Sequence, residues 1–312
     1  MEFRAFRYIL KIAETGTISA AAAKLYVSQP SLSQLLTGVE RKLGVPLFDR
    51  SSSPLQPTEA GELYLRTARQ ILALDEEFHQ RVDDMRGLAS GSLTLGITPF
   101  RSAYLLAAFL PSFQRAYPGI QIGLRESTTM QIEESARRGE VDYAISLLPA
   151  DEKAFLVTPL FDEELLLAIP PAHPIAREYS RVPGDADTEA MPALPLAAFR
   201  DDAFIQMQSE QKLHEKLLSL CKASGFAPRI QMETSSMEAA QALAGAGLGC
   251  AILPDTLIRG SHPNHPPVYV AIEGHPHRTA VLLAKKRRYQ SNAARAFARA
   301  LQAFCQMTAK TR

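Results

Sequence analysis

Residues 14–40 place two short helices on either side of a tight turn, and no other stretch constrains the fold more. Four consecutive alanines at residues 20–23 let the first helix approach a neighbour closely. Ser28 is a suitable N-cap for the second helix, because its hydroxyl can accept a hydrogen bond from a first-turn amide. Pro30 is tolerated next to it because first-turn amides have no partner within the helix. The pattern predicts a helix-turn-helix.

The second helix carries one apolar stripe and one polar edge. The stripe recurs at helical spacing and is predicted to be buried; it consists of Leu32, Leu36, Val39 and Leu43. The polar edge carries only short hydroxyls and amides, at Gln29, Ser31, Ser33, Gln34 and Thr37. Such groups suit the base edges and phosphates of a DNA major groove, which is wide enough to admit one helix. A solvated edge on a purely architectural helix pair is the alternative interpretation.

Two further stretches make a family resemblance specific. Residues 43–50 read Leu-Gly-Val-Pro-Leu-Phe-Asp-Arg, and residues 55–61 read Leu-Gln-Pro-Thr-Glu-Ala-Gly. With the helix pair they closely resemble the N-terminal domain of LysR-type transcriptional regulators, and the resemblance covers the whole chain. It implies a winged helix-turn-helix whose second helix enters the major groove of duplex promoter DNA, with an arginine just before the wing. Together with the polar edge, the predicted DNA-binding residues are Ser28, Gln29, Pro30, Ser31, Ser33, Gln34, Thr37 and Arg50.

A long helix is predicted from an N-cap at Thr58, with Glu59 and Glu62 in its first turn, to about residue 88. Its apolar positions follow an approximate heptad that Asp75 interrupts, namely Leu65, Ala68, Ile71 or Leu72, Phe78, Val82 and Met85. No compact domain lies beside this stripe in the sequence, so the same helix of a second subunit is its expected partner. Packing on its own winged domain is the alternative. The resembling family uses this helix as a dimerisation linker, so we expect a homodimer or homotetramer.

From residue 91 onwards, short apolar strands alternate with helices. Strands are predicted at residues 93–97, 120–125, 141–146, 164–169, 204–206, 230–233, 250–253, 268–272 and 280–284. Helices are predicted at residues 103–117, 130–138, 211–223, from 236, and at 292–306. The alternation predicts a parallel sheet with helices on both faces. Two such lobes, between which the chain crosses twice, form the architecture of a type 2 periplasmic-binding-protein domain.

The predicted fold class is therefore α/β, with a winged helix-turn-helix, a linker helix and a two-lobed effector-binding domain. Their predicted ranges are residues 1–58, 59–90 and 91–312. The family resemblance implies the same organisation, with lobe I formed by residues 91–161 and 267–308 and lobe II by residues 162–266.

A ligand site is predicted where loops leave the strands of the two lobes, because open α/β sheets bind ligands outside the carboxyl ends of their strands. These loops supply the predicted effector-binding residues Thr98, Arg101, Ser102, Ser127, Thr128, Thr129 and Gln206. Ser102 and Thr129 could instead cap the helices that follow them. Hydroxyls, helix N-termini and one arginine favour a small anion such as a carboxylate.

The amino-acid composition excludes several further classes of protein. The formal net charge is +1, which does not fit a nonspecific nucleic-acid coat, yet residues 1–56 carry seven basic and four acidic residues. No stretch approaches eighteen uninterrupted apolar residues and no signal peptide is visible, so we expect a cytoplasmic protein without membrane contact. Cys221, Cys250 and Cys305 are odd in number and scattered. Ordinary buried thiols are expected rather than disulfides or a redox sensor.

The sequence contains no recognisable catalytic motif. Residues 245–249 read Gly-Ala-Gly-Leu-Gly, but they close a helix and enter a strand, whereas a nucleotide loop follows a strand and opens a helix. Neither a G-x-S-x-G motif nor an H-E-x-x-H motif is present. The sequence predicts no catalytic residues, no metal and no cofactor. We predict a sequence-specific transcriptional regulator modulated by a small-molecule effector; an enzyme and a solute-binding transport protein are the alternatives.

Overall fold

A computed structural model describes residues 3–85, 91–177, 191, 193–261 and 263–310. Two units are distinguished by their internal packing. Residues 1–86 and 138–140 form the N-terminal unit, and residues 87–137 and 141–312 form the C-terminal unit.

The N-terminal unit begins with three helices that surround one apolar core. They are α1 (Phe3–Thr15), α2 (Ile18–Leu25) and α3 (Gln29–Leu43). Two short antiparallel strands, β1 (Phe48–Asp49) and β2 (Gln56–Pro57), form the wing. The predicted winged helix-turn-helix is therefore confirmed.

Local capping fixes the ends of α2 and α3. Tyr26 has a left-handed backbone (φ 55°) and ends α2, and the hydroxyl of Ser28 accepts a hydrogen bond from the backbone N–H of Ser31 at 3.4 Å. Leu32 and Leu36 are fully buried, as predicted. Leu43, however, is 39% exposed. Its predicted burial was wrong because α3 ends there, at a left-handed Gly44.

Helix α4 (Glu59–Met85) has two halves with different environments. The hydroxyl of Thr58 accepts a hydrogen bond from the backbone N–H of Gly61 at 3.0 Å, so the predicted N-cap is confirmed. Its first half packs into the winged core through Tyr64, Leu65, Ala68, Ile71 and Leu72. For this half, the alternative of packing on its own winged domain is the correct one. The predicted continuation of the helix to residue 88 falls outside the described residues.

The second half of α4 exposes large apolar side chains. Leu74 is 66% exposed, Phe78 is 61% exposed and Met85 is 85% exposed in the single chain. Because water contact with such side chains is unfavourable, this strip is the part of α4 suited to a partner helix.

We expect the double substitution Leu74→Glu and Phe78→Glu to weaken self-association by at least about tenfold, because the two carboxylates would be desolvated at a helix seam. Analytical ultracentrifugation at micromolar concentration measures the effect. Glu76→Lys, at an exposed position between them on the helix, is the matched control and should leave the mass unchanged. An unaltered oligomer in the double variant would place the interface elsewhere.

Lobe I of the C-terminal unit contains a mixed sheet. Strands β3 (Gly91–Ile97), β4 (Ile120–Glu126) and β5 (Tyr143–Leu147) are parallel. The helical elements of this lobe are α5 (Pro99–Arg101), a π-helical turn (Ser102–Leu106), α6 (Ala107–Ala116), α7 (Thr129–Arg138) and, at the end of the chain, α11 (Asn292–Lys310). Among the described residues, no helix is both long enough and apolar enough to cross a membrane.

Lobe II surrounds a second apolar core. Its strands are β7 (Ala193–Leu194), β8 (Ala203–Met207), β9 (Arg229–Thr234), β10 (Ala251–Pro254) and β11 (Val268–Ile272). Its helices are α8 (Lys212–Ala223), α9 (Met237–Gly245) and α10 (Asp255–Gly260), together with two 3-10 turns at Pro174–Arg177 and Leu196–Phe199. As predicted, the glycine-rich residues 245–249 end α9 and lead into β10.

Strand β6 (Phe155–Ile169) joins the two lobes. Up to Glu164 it pairs antiparallel with β12 (His277–Lys285), and from Leu165 it pairs antiparallel with β10 and β11. The chain thus returns along β6 in the opposite direction, first as β11 and then as β12. The prediction of a parallel sheet was wrong at this point, because β12 inserts between β5 and β6 and is antiparallel to both.

Candidate functional site

The predicted DNA-facing residues gather on α3 and at the start of the wing turn. Seven of the eight are exposed, and Ser33 is half-buried. Leu32 and Leu36 anchor the opposite side of α3 in the core, so the polar edge is held outward. The hydroxyls and amides of this edge are therefore exposed to solvent on one rigid helix.

Arg50 is tied to α3 through Glu40. Its Nη2 donates to Glu40 Oε2 at 2.8 Å, and Glu40 Oε1 accepts from the backbone N–H of Leu47 at 2.8 Å. The arginine side chain remains 59% exposed. The carboxylate therefore orients Arg50 without removing it from solvent.

A cavity of about 630 Å³ lies between the two lobes of the C-terminal unit. Of the seven predicted effector residues, five line it: Thr98, Arg101, Ser127, Thr128 and Thr129. The structure does not place Ser102 or Gln206 in the wall. Ser102 lies inside the π-helical turn with its hydroxyl buried, and Gln206 is buried in β8. Lobe II contributes residues that the sequence analysis missed, among them Lys212, Ser236 and Glu238.

Threonine caps sit at the edge of this cavity. Thr98 Oγ1 accepts from the backbone N–H of Arg101 and Thr128 Oγ1 from that of Gln131, each at 3.4 Å. The alternative of a capping role for Ser102 and Thr129 is wrong, because these residues lie within helical turns and the helices are capped earlier, at Thr98 and Thr128. A hydroxyl that accepts a cap bond keeps its own proton for donation. Thr98 and Thr128 can therefore cap a helix and also donate to a ligand.

Arg101 is committed to a buried ion pair. Its Nη1 and Nη2 donate to the two carboxylate oxygens of Glu163 at 2.7 and 2.5 Å, and its guanidinium lies against the Phe161 ring. Glu163 is fully buried. The Nη1–Nη2 edge of Arg101, with which an arginine binds a carboxylate in a two-bond fork, is therefore already occupied by Glu163, and its role as the cation for an anionic ligand stays a prediction.

Glu163 also receives hydrogen bonds from two other segments. Arg278 Nε donates to its Oε2 at 2.9 Å, and the Thr256 hydroxyl donates to its Oε1. Burial alone would raise the pKa of Glu163, but the two guanidinium groups hold that pKa down at about 2. The carboxylate is thus ionised and joins lobe I, β12 and α10.

We expect Glu163→Gln to lower the free energy of unfolding by roughly 3–5 kcal/mol at pH 7, because two buried guanidinium groups lose the carboxylate to which both donate. Urea unfolding followed by circular dichroism measures the loss. A carboxylate with a depressed pKa stabilises above its ordinary pKa of 4.5 and loses that contribution as pH falls towards about 2. The difference between wild type and variant should therefore shrink over that range. Glu164→Gln, the partly exposed neighbour, is the control and should change little.

The side chain of Lys212, a residue of lobe II, contacts lobe I at the edge of the cavity. Its Nζ donates to Glu133 Oε1 at 2.6 Å and to the backbone carbonyls of Leu147 and Pro149 at 2.6 and 2.9 Å. An ammonium has three donors, so all of them are used. This contact holds the lobes together at one side of the cavity.

All three cysteines are buried, as the sequence predicted. Burial raises the pKa of the Cys221 thiol to about 11 and that of Cys250 to about 12. Because the thiolate is the reactive form, these two side chains are unreactive at neutral pH.

Comparison with protein families decides the identity of the chain. A model described as "Bacterial regulatory helix-turn-helix protein, lysR family" matches residues 3–62, and one described as "LysR substrate binding domain" matches residues 86–306. The chain belongs to the LysR family of transcriptional regulators. It is therefore a regulator with a DNA-binding helix-turn-helix and an effector-binding domain, and neither an enzyme nor a transport protein.

Individual relatives agree with this placement. The chain is 29% identical to the HTH-type transcriptional regulator YcgK of Bacillus subtilis, over 95% of this chain and 93% of that protein. It is 33% identical to a probable RuBisCO transcriptional regulator of Porphyra purpurea, over 79% of this chain and 76% of the relative. A crystal structure of full-length CbnR with its target DNA superposes with a TM-score of 0.68 at 23% identity, covering 97% of this chain and 99% of CbnR.

Proposed function

We propose that this LysR-type regulator binds promoter DNA in the cytoplasm through residues 1–58 and associates through the linker of residues 59–90. Residues 91–312 bind a small anionic effector that changes promoter affinity. The observation that carries the proposal is the pairing of an outward-facing polar helix edge with a cavity between two lobes.

DNA recognition is assigned to α3 and Arg50. Gln29, Ser33 and Thr37 are spaced four residues apart, so they follow one another along one side of the helix. Two such helices in a symmetric dimer would enter major grooves one turn, about 34 Å, apart. Arg50 lies beyond the far end of α3, where a cation contacts phosphate rather than a base edge.

We expect Gln29→Ala and Ser33→Ala each to reduce specific promoter affinity, with a good base contact worth roughly 1–3 kcal/mol, and to leave binding to unrelated DNA unchanged. Arg50→Ala should weaken both and reduce the salt dependence. Electrophoretic mobility shift with the region upstream of its own gene, beside a scrambled duplex, separates the two effects. Gln306→Ala, an exposed amide on α11, is the matched control. Equal affinities for wild type and all three DNA-face variants would remove α3 from recognition.

Effector binding is assigned to the cavity because its lining combines two hydroxyls, for which the described residues supply no acceptor, with apolar side chains. Thr98 and Thr128 line the cavity together with the apolar residues Ile145, Leu147 and Leu213. An anion accepts hydrogen bonds and donates none, so donors with no other acceptor favour it.

We expect Thr98→Val and Thr128→Val to abolish the effect of a bound effector on promoter affinity, because both lose the hydroxyl donor. Each should also lose roughly 0.5–2 kcal/mol of stability, because each removes a helix cap. Thr98→Ser and Thr128→Ser keep the hydroxyl and should retain both properties. Melting temperatures and mobility shifts with a panel of small carboxylates measure the two effects on the same proteins. Valine variants that are destabilised yet fully responsive would exclude these residues from the effector site.

A further inference from the structure

We propose that Arg278 is the residue that binds the effector, by pairing its guanidinium with the carboxylate of a small monocarboxylate that has an apolar body. The inference rests on the proposed effector cavity and names both the anchoring group and the ligand class.

Arg278 projects from β12 into the wall of the cavity. Its side chain is only 7% exposed. Nε donates to Glu163 Oε2 at 2.9 Å, and Nη2 makes a weak contact with the Met237 sulfur at 4.0 Å. Among the described residues, no oxygen accepts a hydrogen bond from Nη1 or Nη2. One edge of the guanidinium is thus fixed by protein, and the other edge remains available to a ligand.

Arg278 shares its carboxylate partner with Arg101. Each oxygen of Glu163 already accepts two hydrogen bonds, from Arg101 and Thr256 on one side and from Arg101 and Arg278 on the other. Asp255, a second buried carboxylate, acts on Arg278 through its charge and pairs with Arg259 at 3.2 Å. Burial lowers the pKa of Arg278 from its ordinary value. A ligand carboxylate would give its Nη1 and Nη2 groups the oxygen acceptors that the described residues do not supply.

The other two cations of the described cavity wall direct their terminal donors at protein acceptors. Arg101 uses its Nη1–Nη2 edge for a two-bond fork with Glu163, and Lys212 donates all three hydrogens to lobe I. Arg278 is therefore the basic side chain of the described wall whose Nη1–Nη2 edge has no oxygen acceptor.

The remaining wall limits the ligand to one negative charge. Phe100, Ile145, Leu147 and Leu213 make much of the surface apolar, which suits a hydrocarbon body. Glu238, a carboxylate in the same wall, disfavours a second anionic group on the ligand. A short fatty acid satisfies these conditions, with its carboxylate at Arg278 and its chain on the apolar surface.

Hexanoate tests the inference, with hexanamide as a neutral ligand of the same shape. Isothermal titration of the full-length protein should show hexanoate binding at least about tenfold tighter than hexanamide, as expected for a charge-assisted bidentate contact. Arg278→Met keeps an apolar stem and leaves Glu163 paired with Arg101 and Thr256, so the variant should fold. Its hexanoate affinity should fall at least about tenfold, to the level of hexanamide, while mobility shift without ligand stays unchanged.

Two further variants sharpen the result. Arg278→Lys keeps the charge but loses the fork and should have intermediate affinity for hexanoate. Glu238→Gln removes the opposing carboxylate and should bind hexanoate as tightly as wild type or more tightly. Thermal melts verify that each protein is folded.

The outcomes separate this inference from the proposed function. If Thr98→Val loses hexanoate binding while Arg278→Met retains it, the cavity is correct and the role of Arg278 is wrong. If none of the cavity variants alters hexanoate affinity, the effector site itself lies elsewhere and both proposals fail. If the wild-type protein does not prefer hexanoate to hexanamide, the monocarboxylate class is wrong.

Discussion

The buried carboxylate of Glu163 is the interaction on which the C-terminal unit depends. It lies on β6 just before the residue at which that strand exchanges lobe I partners for lobe II partners. Arg101, Arg278 and Thr256 reach it from three other segments. An ionised group without solvent is tolerated only when it is fully hydrogen-bonded, so these segments must keep their positions relative to β6. The join between the lobes is therefore rigid on the side that holds this cluster.

The lining of the cavity depends on the Glu163 cluster between the lobes and on the residues at which three helices begin. The chain enters α5 and α7 after Thr98 and Thr128, and α9 after Ser236, whose hydroxyl accepts from the backbone N–H of Ala239. All three hydroxyl residues line the cavity. A hydroxyl cap uses its oxygen lone pair, so Thr98 and Thr128 can combine this structural role with donation to a ligand. Ser236 differs, because its hydroxyl already donates to Glu238 Oε2 at 2.8 Å. Lys212 adds a contact between the lobes that a ligand would have to accommodate.

The two halves of the long helix α4 in the N-terminal unit have different environments. Leu65 and Ala68 anchor α4 in the winged core, whereas Leu74 and Phe78 are exposed in the single chain. A helix that is fixed at one end and apolar at the other can transmit the orientation of a partner helix to the recognition helix. This division explains why the predicted heptad is interrupted at Asp75, near the change of environment.

Local sequence patterns were sufficient to predict the helix-turn-helix, the caps at Ser28 and Thr58, the alternation of strands and helices, and the hydroxyls of Thr98 and Thr128 at the cavity. These features depend on residues close together in the chain, such as a cap and its first turn or a strand and the loop that follows. The direction of β12 and the ion pairs of Arg101 and Arg278 with Glu163 were not predicted and are seen only in the folded chain. Strand pairing and charge compensation depend on segments that meet only after folding. A guanidinium's availability depends on which carboxylate lies beside it, and the linear order of residues does not contain that distance.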